Sequence, residues 1–341
     1  MYNFLSFSEE ERRTIFRNTA QRKGVHESII EKDFWVCLML DYLFHKSKFQ
    51  QRLTFKGGTS LSKCYGLIRR FSEDIDLILD WRLLDYEKDE PWAERTKTKQ
   101  DAFNKEANAR AETFLADEFM PAIRSDLSEI IGKDAMVEID HSDPQTVNFH
   151  YPQLFSAETI LQSLRLEIGA LAAWTPSTEK VVAPYVFDYY PKLAQITPTS
   201  ITTSSAERTF WEKVTILHHE ANRPDHLEMP TRYSRHYYDL HCISKSEHKA
   251  NALKQLDLLQ KVVVFKMRFY PRAWAKYEEA LQGSIKLVPP QFRLEALRND
   301  YDFMREMLFG DYPSFSDLME SIGNLERELN LLLSPGAVNV K

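Results

Sequence analysis

The sequence predicts an α+β fold in two parts. Short strands alternate with helices over about residues 27–200, and an all-helical part follows from about 206. Three observations carry this division. Runs with period-two alternation, such as Asp74–Leu79 and Leu164–Gly169, are confined to the first part. Phe210, Val214 and Leu217 open a stretch where apolar residues recur at helical spacing. Between the two, residues 175–205 are rich in Pro, Thr and Ser and read as a connector. The expected domains are therefore 1–205, with helices at its start, and 206–341.

Ser8 followed by Glu11 fits a capping box and opens a helix running to about residue 22. A second helix, roughly 27–44, turns Ile30, Phe34, Val36, Cys37 and Leu40 towards a core. Residues 53–55 read as a strand, 56–59 as a tight turn on Gly57 and Gly58, and 60–68 as a short helix. Asp74–Leu79 is the next strand. Residues 82–100 are polar, with Pro91 inside, and read as an exposed insertion before a long helix at about 101–125. Strands are expected at 136–141, 147–151 and 164–169, with another near 184–188. Later helices are expected at 231–243, 247–263, 266–282, 291–308 and 314–332.

Composition sets the class. Of 341 residues, 43% are hydrophobic and 28% charged, as in globular proteins. No run approaches the ~18 apolar residues of a membrane span, and the start lacks the basic and apolar pattern of a secretory signal. Cys37, Cys64 and Cys242 lie far apart, which predicts neither a disulfide framework nor a zinc pair. A soluble, cytoplasmic protein is the expectation. The net charge of −6 argues against bulk coating of nucleic acid. Residues 245–305 nevertheless carry twelve Lys/Arg against seven Asp/Glu. This basic stretch reads either as a polyanion platform or as helices with solvated faces.

The informative chemistry lies between Phe55 and Leu77. Asp74 and Asp76 are two apart on a strand, so both carboxylates leave one face. Paired acids repel unless a cation sits between them, and oxygen-only ligands suit Mg²⁺ or Mn²⁺. Gly57 and Gly58, before a helix, let backbone N–H groups approach a phosphate. Separately, each is an ordinary turn or an ordinary strand face. In this order and spacing they fit phosphoryl or nucleotidyl transfer. Other motifs fail: there is no GxxxxGK[ST], GxGxxG or GxSxG, and His218-His219-Glu220 lacks the second histidine of a zinc helix.

Lys56-Gly-Gly-Thr-Ser-Leu61 followed by Arg70-Phe-Ser-Glu-Asp-Ile-Asp-Leu77 resembles the signature of the AbiEii/AbiGii toxin nucleotidyltransferases, within the DNA-polymerase-β-like superfamily. The resemblance covers about 25–245. It implies a mixed sheet with flanking helices, Mg²⁺ or Mn²⁺ at Asp74 and Asp76, and an NTP substrate held by Lys56, Gly57, Gly58, Thr59 and Ser60. Ser72 is either a phosphate contact or a cap at the strand's start. Lys213, in Glu207-Arg-Thr-Phe-Trp-Glu-Lys213, matches a family lysine that contacts the triphosphate. Asp239, in Arg235-His-Tyr-Tyr-Asp-Leu240, matches an acid that supports the site or assists proton transfer. The superfamily expects a third carboxylate on a neighbouring strand. Glu167 is favoured, with Glu138, Asp140 or no third ligand at all as the alternatives. By resemblance the acceptor is an RNA, foremost a tRNA 3′ end, and the partner a cognate antitoxin of a toxin–antitoxin or abortive-infection system. The rival activities are nucleotidylation of a protein or small molecule, and non-catalytic NTP binding. The 245–305 helices, with Lys266, Arg268 and Arg272, would then clamp RNA, while Phe265, Phe269, Tyr270 and Trp274 either stack on bases or fill a core.

Overall fold

Ser8 caps helix α1 (Glu9–Lys23) as the pattern predicts: its hydroxyl accepts from Glu11 N–H, while the Glu11 carboxylate accepts from Ser8 N–H. The computed structural model describes residues 1–157, 160–170, 176–191 and 199–334. Helix α2 (Glu27–His45) is buried nearly all round, from Ser28 through Leu40. Its apolar side chains drive that burial, each contributing roughly 1.5–3 kcal/mol. Glu31, Lys32 and Asp33 lie in the same buried stretch and need partners inside the protein.

Strand β1 (Leu53–Lys56) runs straight into helix α3 (Gly57–Lys63), and β2 spans Asp74–Leu79 as expected. The glycines form the first turn of α3 rather than a loop before it, and the helix stops at Lys63 instead of continuing to 68. A run of helix from α4 (Lys97–Phe114) through one π turn (Leu115–Phe119) to α5 (Met120–Ile131) is longer than the 101–125 expected. Strands β3 (Met136–Ile139), β4 (Thr146–His150) and β5 (Leu164–Gly169) follow. The next strand, β6, is Ser177–Val182, and the strand expected near 184–188 is instead the short helix α6 (Val186–Tyr189). There Val186 is buried while its neighbours are half-exposed, a pattern that one helical turn satisfies as well as a strand. Strand β7 is Thr199–Ser204, and residues 175 and 192–198 of the anticipated connector lie outside the described residues.

The seven strands form one mixed sheet in the order β3-β4-β5-β2-β1-β7-β6. β2 is central, antiparallel to β1 and parallel to β5. α2 packs against β5 and β7, and α3 against β1 and β2. This first unit comprises 1–64 and 71–204.

The second unit comprises 205–341 together with Tyr65–Arg70, a segment the sequence reading assigned to the first domain. Its described helices are α7 (Ala206–Ala221), α8 (Ser234–Ser244), α9 (Glu247–Leu253), α10 (Leu256–Phe269), α11 (Leu294–Met304) and α12 (Phe315–Leu333). The helix expected at 247–263 is broken at Lys254–Gln255, and that expected at 266–282 is replaced by the end of α10 and two 3₁₀ turns, Ala273–Ala275 and Tyr277–Leu281. Pro271 after α10 explains the stop, since it cannot donate into the preceding turn. α7 packs on α8, α9 and α10, and Phe265 and Phe269 are core residues.

Candidate active site

Asp74 and Asp76 leave the same face of β2. In the parallel ladder with β5, Asp74 lies opposite Arg165 and Asp76 opposite Glu167. Lys56 pairs with Asp76 from β1, and Thr146 with Glu167 from β4. A row of Lys56, Asp76, Glu167 and Thr146 thus crosses four strands.

The glycine turn abuts this row. Gly57 has φ +79°, and a Cβ built on it would overlap the Asp76 carboxylate. Glycine is required there twice over, by the left-handed backbone and by the close approach. Thr59 and Ser60 are buried, and their hydroxyls serve the turn itself. The Thr59 hydroxyl bridges the Asp74 carbonyl (2.5 Å) and the Ser72 hydroxyl (2.9 Å), and the Ser60 hydroxyl donates to the Gly57 carbonyl at 2.8 Å. The groups of 57–60 suited to meeting a phosphate are therefore backbone N–H groups. Lys56 is half-buried at the end of β1.

Sequence reasoning passed over two features. Arg165 shares a strand face with Glu167, and the alternation of β5 was the available signal. Its guanidinium donates to Asp140 at 2.9 Å, while its Nε lies 3.9 Å from Asp74 and 3.7 Å from Glu167. The second feature is Lys32, whose ammonium meets Glu73 at 2.7 Å with both side chains buried, immediately before Asp74. Three consecutive charges, Glu31, Lys32 and Asp33, in the buried middle of α2 were the signal. Glu31 accepts from Leu154 and Phe155 N–H, and Asp33 pairs with Lys63 at 2.7 Å.

The alternatives for the third carboxylate are otherwise engaged. Glu138 meets His150 at 2.9 Å on β3, the edge strand. Asp140 accepts from Ser142, Asn148 and Arg165. The Ser142 and Asn148 hydrogen bonds, with Arg165 adding its charge, hold its carboxyl well below the usual range. The register sets Glu167, not these two, beside Asp76.

In the second unit, Arg70 forks onto Asp239, with Nε to Oδ1 at 2.7 Å and Nη2 to Oδ2 at 2.9 Å. Lys213 donates to Asp239 at 2.8 Å and lies 2.9 Å from His236 Nδ1. Asp239 is fully buried. Burial alone would raise its carboxyl, but the charges of Arg70 and Lys213 hold it well below the usual range. Burial pushes the Lys213 ammonium down, against the pull of Asp239. Burial and the neighbouring Lys213 push His236 down as well, so it is neutral.

The donor set fits a hard divalent cation: two carboxylates on one strand face, a third beside them, and room made by the missing Cβ of Gly57. Among the described residues, no three His, Cys, Asp or Glu side chains lie together as a set that could by themselves hold a metal ion, Asp74, Asp76 and Glu167 included. Mg²⁺ does not need such a set, because it takes one or two carboxylates and completes its shell with water and substrate phosphates. Among the described residues, no helix is long and apolar enough to cross a membrane.

Among solved structures, the chain is similar to MenT4, a nucleotidyltransferase toxin from Mycobacterium tuberculosis, at 16% identity and TM-score 0.45, over 94% of this chain and 97% of that one. No curated protein matches the sequence. Residues 40–321 match the family described as nucleotidyl transferase AbiEii toxin, type IV toxin–antitoxin system. That span takes in the glycine turn, both acids of β2, Glu167, Lys213 and Asp239, and the chain belongs to this family of nucleotidyltransferase toxins.

Proposed function

We propose that the protein transfers a nucleoside monophosphate from an NTP to an RNA, foremost the 3′ end of a tRNA, in a reaction that requires Mg²⁺ or Mn²⁺. The observation that carries this reading is the Asp76 carboxylate packed against the Gly57 backbone, with Glu167 beside it in register. Asp74, Asp76 and Glu167 would hold the cation. When bound, it supplies charge neutralisation at the α-phosphate and the pyrophosphate leaving group, and lowers the pKa of the attacking hydroxyl.

The chain's own groups do the rest. Backbone N–H groups at the start of α3 orient the β- and γ-phosphates, and Lys213 adds a positive charge for the triphosphate. Asp239, locked between Arg70 and Lys213, positions that lysine; its depressed pKa makes it a poor base. The RNA acceptor is supported by family membership and by the basic surplus of residues 245–305. Arg272 is exposed, and Lys266 and Arg268 are half-exposed. Tyr270 is partly exposed with its ring beside Phe265 (centroids 5.8 Å apart), whereas Phe265 and Phe269 belong to the core, and Trp274 lies against His219 with ring centroids 4.4 Å apart. A cytoplasmic setting and a cognate antitoxin complete the proposal.

The test is incubation of the protein with each α-labelled NTP, Mg²⁺ and total cellular RNA. RNase-sensitive label that disappears with Asp74→Asn or Asp76→Asn is the expected result. Label that resists RNase and yields to protease points instead to a protein acceptor. Incorporation surviving both substitutions overturns the site.

A further inference from the structure

Arg165 places a permanent positive charge inside the row of acids. Its Nε approaches Asp74 and Glu167 at 3.9 and 3.7 Å, too far for good hydrogen bonds but close enough for strong Coulomb attraction. The hydrogen bond that fixes it goes elsewhere, to Asp140 at 2.9 Å. Asp140 is anchored in turn by the Ser142 hydroxyl (2.7 Å) and N–H (2.9 Å), and by the Asn148 amide at 3.0 Å. The arginine is thus tethered from one side while its charge spans two of the three carboxylates suited to a metal. All of these residues lie in the first unit.

We propose that Arg165 is a resident counter-ion of the carboxylate row, held off by Asp140, and that it sets how tightly a divalent cation is taken there by weakening it. The inference rests on the metal reading of Asp74, Asp76 and Glu167. A guanidinium, with its planar fork of N–H donors, could have paired fully with these acids and blocked the site. The tether to Asp140 instead divides its charge between the anchor and the acids. Removing the positive charge should therefore tighten divalent binding. Neutralising the tether should let the guanidinium settle onto Asp74 and Glu167 and loosen it. A merely structural arginine makes a different forecast, because loss of either member of the Arg165–Asp140 pair would then disorder the row and weaken binding in both variants.

The experiment is titration of the full chain with Mn²⁺ alone, free ion being read by its paramagnetic resonance, at fixed ionic strength and pH 7.5. Thermal melts with and without MgCl₂ run in parallel. Arg165→Gln should bind Mn²⁺ about tenfold more tightly than the wild type, the scale expected when a unit charge is removed about 6 Å from a dication in a water-screened, high-dielectric setting. It should also show the larger MgCl₂-induced rise in melting temperature. Asp140→Asn should bind several-fold more weakly. Equal or weaker binding by Arg165→Gln overturns the proposal, as does absence of binding in both it and the wild type. Asp76→Asn separates the two levels. If wild-type binding survives that change, the metal reading fails. If binding is lost there yet unmoved by Arg165→Gln, the counter-ion assignment alone fails.

Discussion

Gly57 is the residue whose chemistry is most constrained. Its φ of +79° costs an L-residue about 1–2 kcal/mol, and its missing Cβ is the space the Asp76 carboxylate occupies. Gly57→Ala should lower thermal stability by that modest amount yet remove at least ~99% of NMP transfer, because the carboxylate must swing away and geometric error at a reacting centre is penalised about a hundredfold per ångström. Melting curves together with labelled-NTP incorporation check both halves. Transfer within threefold of wild type would mean the Asp76 position is not critical. The sequence displayed the glycine pair and the two acids because each requirement is local. It could not display Asp239 as a partner of Arg70, since the two are 169 positions apart and meet only through folding. The same holds for Arg165, whose tether Asp140 sits 25 positions upstream.

At the scale of elements, β5 was readable to the residue because alternation and burial agree along it, whereas β2 kept its predicted bounds although it is buried on both faces, Asp76 alone being half-buried. Short segments were not readable in this way. The 184–188 stretch is too brief for period two and period 3.6 to be told apart, and the helical run beyond 245 is punctuated by Pro271, Pro289 and Pro290, which divide it into turns. A charge pair that hydropathy cannot reveal ties α2 to the residue just before β2. Lys32 donates to Glu73 at 2.7 Å and to the Leu161 carbonyl at 2.6 Å, with the lysine fully buried. Removing one partner leaves the other buried and uncompensated, so Lys32→Met should destabilise by about 3–5 kcal/mol. The double variant Lys32→Met with Glu73→Leu should recover most of that loss, because buried ion pairs exchange for apolar ones at little net cost. Urea unfolding of both variants decides it. A double variant as unstable as the single would show that the pair itself, not the orphaned charge, carries the stability.

On the scale of the whole molecule, one buried carboxyl of the first unit and two histidines of the second respond to acid in opposite ways. In the first, burial raises the Glu31 carboxyl from 4.5 to about 7 despite hydrogen bonds from Phe155 and Leu154 N–H. Its folded state binds more protons than the unfolded chain between those values. Its contribution is therefore full below pH 4.5 and is lost as pH rises through 7, a change on the order of 2–3 kcal/mol. In the second unit, burial lowers His241 from 6.5 to about 4, with Lys245 adding to the shift. Burial likewise lowers His219 to about 4. For these the unfolded chain binds more protons, so stability is full above 6.5 and falls as pH drops towards 4, by ~1–2 kcal/mol for each after discounting for solvent screening. Calorimetry of the full chain from pH 7.5 to 5 should accordingly show the transition broaden and then split. The descending component should belong to the helical unit, and His241→Gln should flatten its slope while leaving the other component in place. The assignment fails if the variant keeps the wild-type slope, for then the acid response arises from groups outside that buried ring.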